Sequence, residues 1–211
     1  DLSGIDPMGD GTGWVPIGNN YDRPFRGHFL GNGKVISGLC INRPEQEVQG
    51  FFGFVAGIVK DLGIVDADIK GSSVVAGVAA YLRYSNNITN CYTTGNITGV
   101  HYVGGIAGYL EVYRVIRDCY STANVSGTGN YIGGIAGYAD DYCLFLKCYS
   151  TGNVTGRDYV GGILGADRYY PVEIVDCYST GIINGANHVG GIIGRGKYLY
   201  MGRCYSLASV S

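Results

Sequence analysis

The chain has 211 residues and a mass of 22.4 kDa, and 37 of those residues are glycine, about 17.5% against roughly 7% in average proteins. Only 5 prolines and no strict three-residue glycine period exclude collagen, and 46% hydrophobic residues, with 19 tyrosines, argue against intrinsic disorder. Lys+Arg at 15 against Asp+Glu at 17 gives a formal charge of −2. There is no cationic surplus to condense on phosphate, so nucleic acid is not expected as a partner.

At the N-terminus, Asp1-Leu2-Ser3-Gly4 shows neither a charged n-region nor an apolar h-region, so a signal peptide is expected to be absent or already removed. Glycine interrupts every apolar run well short of the ~18 residues that suggest a membrane span, and none is expected in this chain. Residues 1–47 carry Trp14-Val15-Pro16-Ile17-Gly18 and Phe25-Arg26-Gly27-His28-Phe29-Leu30-Gly31, and read as the leading rungs of the array that follows.

From residue 48 to 211 the chain repeats, and the whole forms one continuous domain. Val103-Gly104-Gly105-Ile106-Ala107-Gly108-Tyr109 recurs from Ile132, from Val160 and from Val189, with degenerate copies from Val48 and Val75. The starts at 48, 75, 103, 132, 160 and 189 lie 27, 28, 29, 28 and 29 residues apart. A second motif, Cys91-Tyr92-Thr93-Thr94-Gly95-Asn96-Ile97-Thr98-Gly99, recurs at Cys119, Cys148, Cys177 and Cys204 with spacings of 28, 29, 29 and 27. Two motifs on one period make each period a structural unit, with a loop in the variable segment between them.

Each unit suits strands. Cys119-Tyr120-Ser121-Thr122-Ala123-Asn124-Val125-Ser126 alternates with period two, placing Cys119, Ser121, Ala123 and Val125 on one face and Tyr120, Thr122, Asn124 and Ser126 on the other. A glycine pair would cost a helix about 1 kcal/mol per residue but gives a strand a tight corner or close packing. The expected fold is all-β: a parallel β-solenoid, right-handed because parallel crossovers nearly always are, with rungs of about 28 residues. Six copies at a ~4.8 Å spacing make a rod on the order of 30 Å tall.

These residues resemble the GLUG-motif repeats of surface proteins, adhesins and IgA-specific metallopeptidases. The likeness is almost letter for letter at Cys148-Tyr149-Ser150-Thr151-Gly152-Asn153-Val154-Thr155-Gly156, and it extends to the Trp14 and Phe25 segments. It implies a secreted or surface-attached scaffold, extracellular or at the cell surface, in which the repeats are not the catalytic part. In such relatives the Asp-Leu-Ser-Gly stretch usually continues an upstream strand. Here it is residue 1, the sequence stops inside a repeat, and neither end shows an obvious cap, so a longer chain or neighbouring subunits are expected to cover the ends.

Candidate sites follow from the ladders. The three histidines, His28, His101 and His188, are scattered, and no His-Glu-x-x-His or Gly-x-Ser-x-Gly motif is present, so no catalytic site and no enzymatic activity are expected. His101 and His188 sit where other copies carry Tyr131 or Tyr159 and read as surface rung positions. Cys91, Cys119, Cys148, Cys177 and Cys204 form an inward ladder of reduced thiols, preceded by Leu62; neighbouring rungs are near enough for disulfides, but an odd column cannot pair fully. No cofactor is expected; Asp6, Asp10, Gly11 and Gly13, and Asp66 with Asp68, resemble calcium turns but lack a closing Glu. Asn87, Asn96, Asn124 and Asn153 are candidate glycosylation sequons.

Tyrosine carries the strongest surface signal. Tyr92, Tyr120, Tyr149, Tyr178 and Tyr205 form an outer ladder, while Tyr84, Tyr113, Tyr142, Tyr169, Tyr170, Tyr198 and Tyr200 are candidate binding-loop residues, with Tyr81, Tyr109 and Tyr138 at the loop entries. Either tyrosine serves the strands through β-propensity and stacking, or it forms a recognition surface. Three functions compete: a non-enzymatic scaffold adhering to surface glycans or proteins, a subunit stacking end to end with copies of itself, and an ice-binding face on Thr94, Thr122 and Thr151. The last is weakened where Leu207 breaks the ladder.

Overall fold

The computed structural model describes residues 1–6, 9–83 and 87–211. All its regular structure is β. Among the described residues the strands fall into one 17-stranded sheet and two six-stranded sheets, and every pairing between named strands is parallel. The chain is a parallel β-solenoid.

One rung shows how. Val103–Gly104, Ala107–Leu110, Val115–Arg117, Tyr120–Ser121 and Asn124–Gly127 follow in order, and Asn130–Gly133 opens the next rung. Val103 pairs with Ile132, Ala107 with Ala136, Ile116 with Phe145, Tyr120 with Tyr149 and Val125 with Val154. The period-two alternation is realised: Cys119, Ser121, Ala123 and Val125 are buried, while Tyr120 and Ser126 are half-buried and Thr122 and Asn124 exposed. Val103, Ile106, Ala107, Leu110 and Ile116 complete the inner wall, all at 0% exposure. The same columns run through the array and make one continuous core.

Corners repeat as faithfully as strands. Asp61, Asn90, Asp118, Lys147, Asp176 and Arg203, each one residue before the Leu62 and cysteine column, all have φ between +51° and +57°. A left-handed backbone costs a non-glycine residue about 1–2 kcal/mol, less for Asn and Asp. Stacking offsets it at four of these corners, whose N–H groups donate to a carbonyl one rung up: Asn90 to Arg117, Asp118 to Leu146, Lys147 to Val175 and Asp176 to Gly202.

Two details differ from the sequence reading. Val48 pairs with Val74 and Gln49 with Val75, so the first degenerate copy aligns one residue later than a start at Val48 implies. The leading end also carries a covering the sequence did not reveal. Leu2 N–H donates to Ser37 O and Trp14 N–H to Cys40 O, and Asn42 N–H donates to Thr12 O, so Leu2, Thr12 and Trp14 lie along the outer edge of the first rung. Trp14 stacks on Phe51 at 5.3 Å and its indole N–H donates to the Phe51 carbonyl, a 37-residue separation with no local signature.

Candidate functional site: a tyrosine face

Four aromatic columns follow from the register. Tyr92, Tyr120, Tyr149, Tyr178 and Tyr205 stack with ring centroids 4.8, 4.8, 4.8 and 5.2 Å apart and planes within 4° of parallel. The first four are half-buried and Tyr205 is exposed. The column starts where Gly63 pairs with Tyr92, whose ring fills the space a Gly63 Cβ would take. A second column, Tyr102, Tyr131, Tyr159 and His188, stands on left-handed corners. His188 therefore shares a column with Tyr131 and Tyr159 as expected, but His101 does not: it occupies the position of Asn130 and takes a hydrogen bond from that residue's N–H at Nδ1.

Tyr81, Tyr109 and Tyr138, read from sequence as loop entries, lie within strands. Their rings form a third, half-buried column that meets the second edge-on, as between Tyr131 and Tyr138 at 5.1 Å. Charged side chains line its base. Tyr109 Oη donates to Asp140 Oδ2 at 2.9 Å, Arg168 pairs with Asp140 at 3.3 Å, and Glu111 lies between the buried guanidiniums of Arg83 and Arg114 at 3.2 and 3.9 Å. Burial, with Glu111 and Asp140 adding to it, pushes the Tyr81 phenol up to about 12; burial first and Asp140 second raise Tyr109 and Tyr138 as well.

The fourth column is the exposed one. Tyr113, Tyr142 and Tyr170 stack at 5.0 and 5.3 Å and are 63%, 43% and 53% exposed. Tyr169 and Tyr198 extend the patch, and Lys197 Nζ sits 4.4 Å over the Tyr169 ring. Tyr200 belongs to the patch but not to a loop: it lies in the strand Leu199–Gly202 and pairs with Glu173. Tyr84 lies outside the described residues. Around Pro171 three adjoining hollows of about 550, 320 and 270 Å³ are walled by Tyr142, Tyr169, Tyr170, Tyr198 and Tyr200. Two aspartates that sequence reasoning passed over shape these loops. Asp141 Oδ1 accepts from the N–H groups of Tyr169 and Tyr170 at 3.0 and 2.9 Å, and buried Asp167 accepts from Lys197 N–H at 2.7 Å. Their signal was an acidic residue closing or following the glycine-rich strand, as in Asp167 and Asp140-Asp141.

The other candidate residues are placed as follows. Cys91, Cys119, Cys148 and Cys177 are buried thiols and Cys204 is half-buried. Each sulfur has carbonyl oxygens nearby, Cys119 donating to Arg117 O at 3.1 Å. Burial raises Cys119 and Cys148 well above an ordinary thiol. Asn87, Asn96, Asn124 and Asn153 are exposed; Asn124 Nδ2 donates to Asn96 Oδ1 at 3.2 Å, and Asn153 Oδ1 accepts from Ile182 N–H. In the acidic turns Asp6 accepts from Gly11 N–H, Asp10 from Thr12 N–H, and Asp68 pairs with Lys70. Among the described residues no three His, Cys, Asp or Glu side chains are grouped to hold a metal ion.

Comparison with known proteins agrees with this architecture. The family model described as the GLUG motif matches residues 128–155. Halomucin of Haloquadratum walsbyi is 34% identical over 94 residues, which cover 43% of this chain and 1% of that protein. A candidate Gly-rich membrane protein of Evansella cellulosilytica is 38% identical over 77 residues, 35% of this chain and 9% of that protein. The chain thus spans a small fraction of both relatives. The crystal structure of a candidate immunoglobulin A1 protease from Bacteroides ovatus superposes with a TM-score of 0.82 at 26% identity, covering 99% of this chain and 68% of that one. The chain is a solenoid repeat domain resembling surface and adhesin-type proteins, and the GLUG motif and the structural likeness both point to an extracellular or cell-surface protein.

Proposed function

We propose that this chain is a non-enzymatic scaffold module that adheres to surface glycans or proteins through the Tyr113, Tyr142 and Tyr170 column and the hollow around Pro171. One observation carries the reading: three large rings stand stacked and solvent-exposed on a rigid coil. Tyrosine pays little conformational entropy to make contact and offers both an apolar face and a hydroxyl. Stacking fixes the rings before any ligand arrives, which lowers the cost of binding. Asp141 and Asp167 hold the loop backbones in the same way.

The test replaces Tyr113, Tyr142 and Tyr170 together with Ser. Attachment of protein-coated beads to glycan arrays and to matrix-coated surfaces is expected to fall at least tenfold, while the thermal transition drops only modestly, since each exposed ring pair contributes about 1 kcal/mol. Unchanged attachment sinks the adhesive reading. A broad panel of peptidase and glycosidase substrates is expected to show no turnover, and turnover lost on mutating one Asp, Glu or His overturns the non-enzymatic part.

A second reading, end-to-end stacking of copies, is favoured by the last rung, where Met201, Leu207 and Val210 are exposed. Apolar residues beside strand edges template further pairing. The 211-residue polypeptide is then expected to associate as concentration rises, and Val210→Pro to prevent it; a monodisperse monomer at high concentration removes this reading.

A further inference from the structure

Away from the tyrosine face, a hollow of about 580 Å³ separates the leading residues from the first repeat. Val15, Pro16 and Phe54 give it apolar walls, and Arg43 and Gln49 line it from below. Both polar side chains are more than nine-tenths buried, at 8% and 3% exposure. Arg43 Nη2 reaches the Gly13 carbonyl at 3.4 Å, its Nε has no hydrogen-bond partner, and no carboxylate among the described residues forms an ion pair with it. Asp10 feels the Arg43 charge, but its carboxylate is engaged by Thr12. Gln49 Oε1 is also without a partner, and its amide nitrogen makes a long 3.4 Å contact to Gln46.

An arginine cannot shed its proton, so a buried guanidinium with no carboxylate in direct contact carries a desolvation cost that an anion would repay. The planar fork suits a carboxylate, which it can hold through two parallel N–H bonds. Gln49 Oε1 asks for the opposite partner, a hydrogen-bond donor, and the weak contact to Gln46 frees the amide to turn toward one. The hollow is the size of a ring compound, and Phe54 and Pro16 offer apolar surface to its C–H face. Exposed Glu47 at the rim disfavours ligands carrying more than one negative charge.

We propose that this hollow binds a uronic acid residue, its carboxylate on Arg43 and a ring hydroxyl donating to Gln49 Oε1. The site uses no residue of the tyrosine face and stands or falls apart from it.

The experiment titrates the ¹⁵N-labelled chain with sodium D-glucuronate, D-glucose and sodium acetate, following the Arg43 Nε–H and Gln49 resonances. Glucuronate is expected to shift both saturably with a Kd of about 1 mM, and glucose and acetate to bind at least tenfold more weakly. Arg43→Gln is expected to abolish the shifts at Gln49. Because Arg43 is buried and that variant can fail to fold, Glu47→Gln at the exposed rim is the second arm, expected to tighten glucuronate binding about twofold with the thermal transition unmoved. Glucose binding as well as glucuronate, acetate binding as well as glucuronate, looser binding in the Glu47 variant, or the absence of saturable shifts at these two residues each overturns the proposal.

Discussion

Ser150 Oγ and the Gly162 carbonyl oxygen stand where a Cβ on Gly134 would be placed. The same interlock joins Gly77 to Thr93, Gly105 to Ser121, Gly162 to Ser179 and Gly191 to Ser206. Glycine is therefore required at the second position of each Gly-Gly pair because a buried hydroxyl column from the opposite wall fills the space. Gly134→Ala is expected to destabilise by about 1–3 kcal/mol through overpacking, read from urea unfolding. Ser150 Oγ has no hydrogen-bond partner, so Ser150→Ala is expected to be nearly neutral. Ser150→Gly should recover part of the loss in Gly134→Ala. A Gly134→Ala effect below about 0.5 kcal/mol would mean the interlock yields freely.

Much of this coil was legible because two motifs kept one period and because Cys119 and Tyr120 alternate as a half-buried strand must. The corners were not. Lys147 and Arg203 adopt positive φ, yet no local preference marks either residue for it; both stand in the corner column that the parallel stack repeats from rung to rung. The tyrosine columns were visible as a composition, but sorting them needed register: Tyr109 and Tyr142 look alike in sequence, and one is half-buried against Asp140 while the other is exposed. Trp14 beneath Phe51 and Arg43 beneath its hollow rest on long-range contacts outside the repeat period.

Thiol reactivity is expected to follow depth. Cys40 and Cys204 are half-buried, whereas Cys91, Cys119, Cys143, Cys148 and Cys177 are buried. Burial pushes Cys143 up to about 12, so its thiolate is scarce at neutral pH. A thiol-specific chromogenic disulfide should modify Cys40 and Cys204 quickly and the others only on unfolding. Fast labelling of Cys119 or Cys148 in the native protein would contradict the inward column.

Alkali is expected to unfold the coil from the third tyrosine column. Tyr81 has a folded value raised from 10.0 to about 12, and Tyr109 and Tyr138 are raised too. A phenol held neutral in the fold contributes stability that is fully present below pH 10 and is lost as pH rises through the folded value, because the unfolded chain ionises first. Stability should therefore decline between about pH 10 and 12. Tyr81→Phe should flatten that decline while costing little at pH 7; an unchanged alkaline profile would place the sensitivity elsewhere.

The last expectation concerns Glu111. Its carboxylate is shared by Arg83 and Arg114, whose side chains are only 6% and 5% exposed, and Arg83 also donates to the Tyr21 carbonyl, tying the leading segment to the second and third repeats. An exposed ion pair contributes at most about 1 kcal/mol, but removing an acid that two buried guanidiniums share takes away the carboxylate that offsets their desolvation. Glu111→Gln is therefore expected to cost about 3 kcal/mol in urea unfolding. Replacing Arg83 with Met in the same chain removes one of the two cations that Glu111 pairs with, so the double variant should be more stable than the sum of the two single losses predicts. Strict additivity would show that Glu111 and Arg83 act independently despite their 3.2 Å contact.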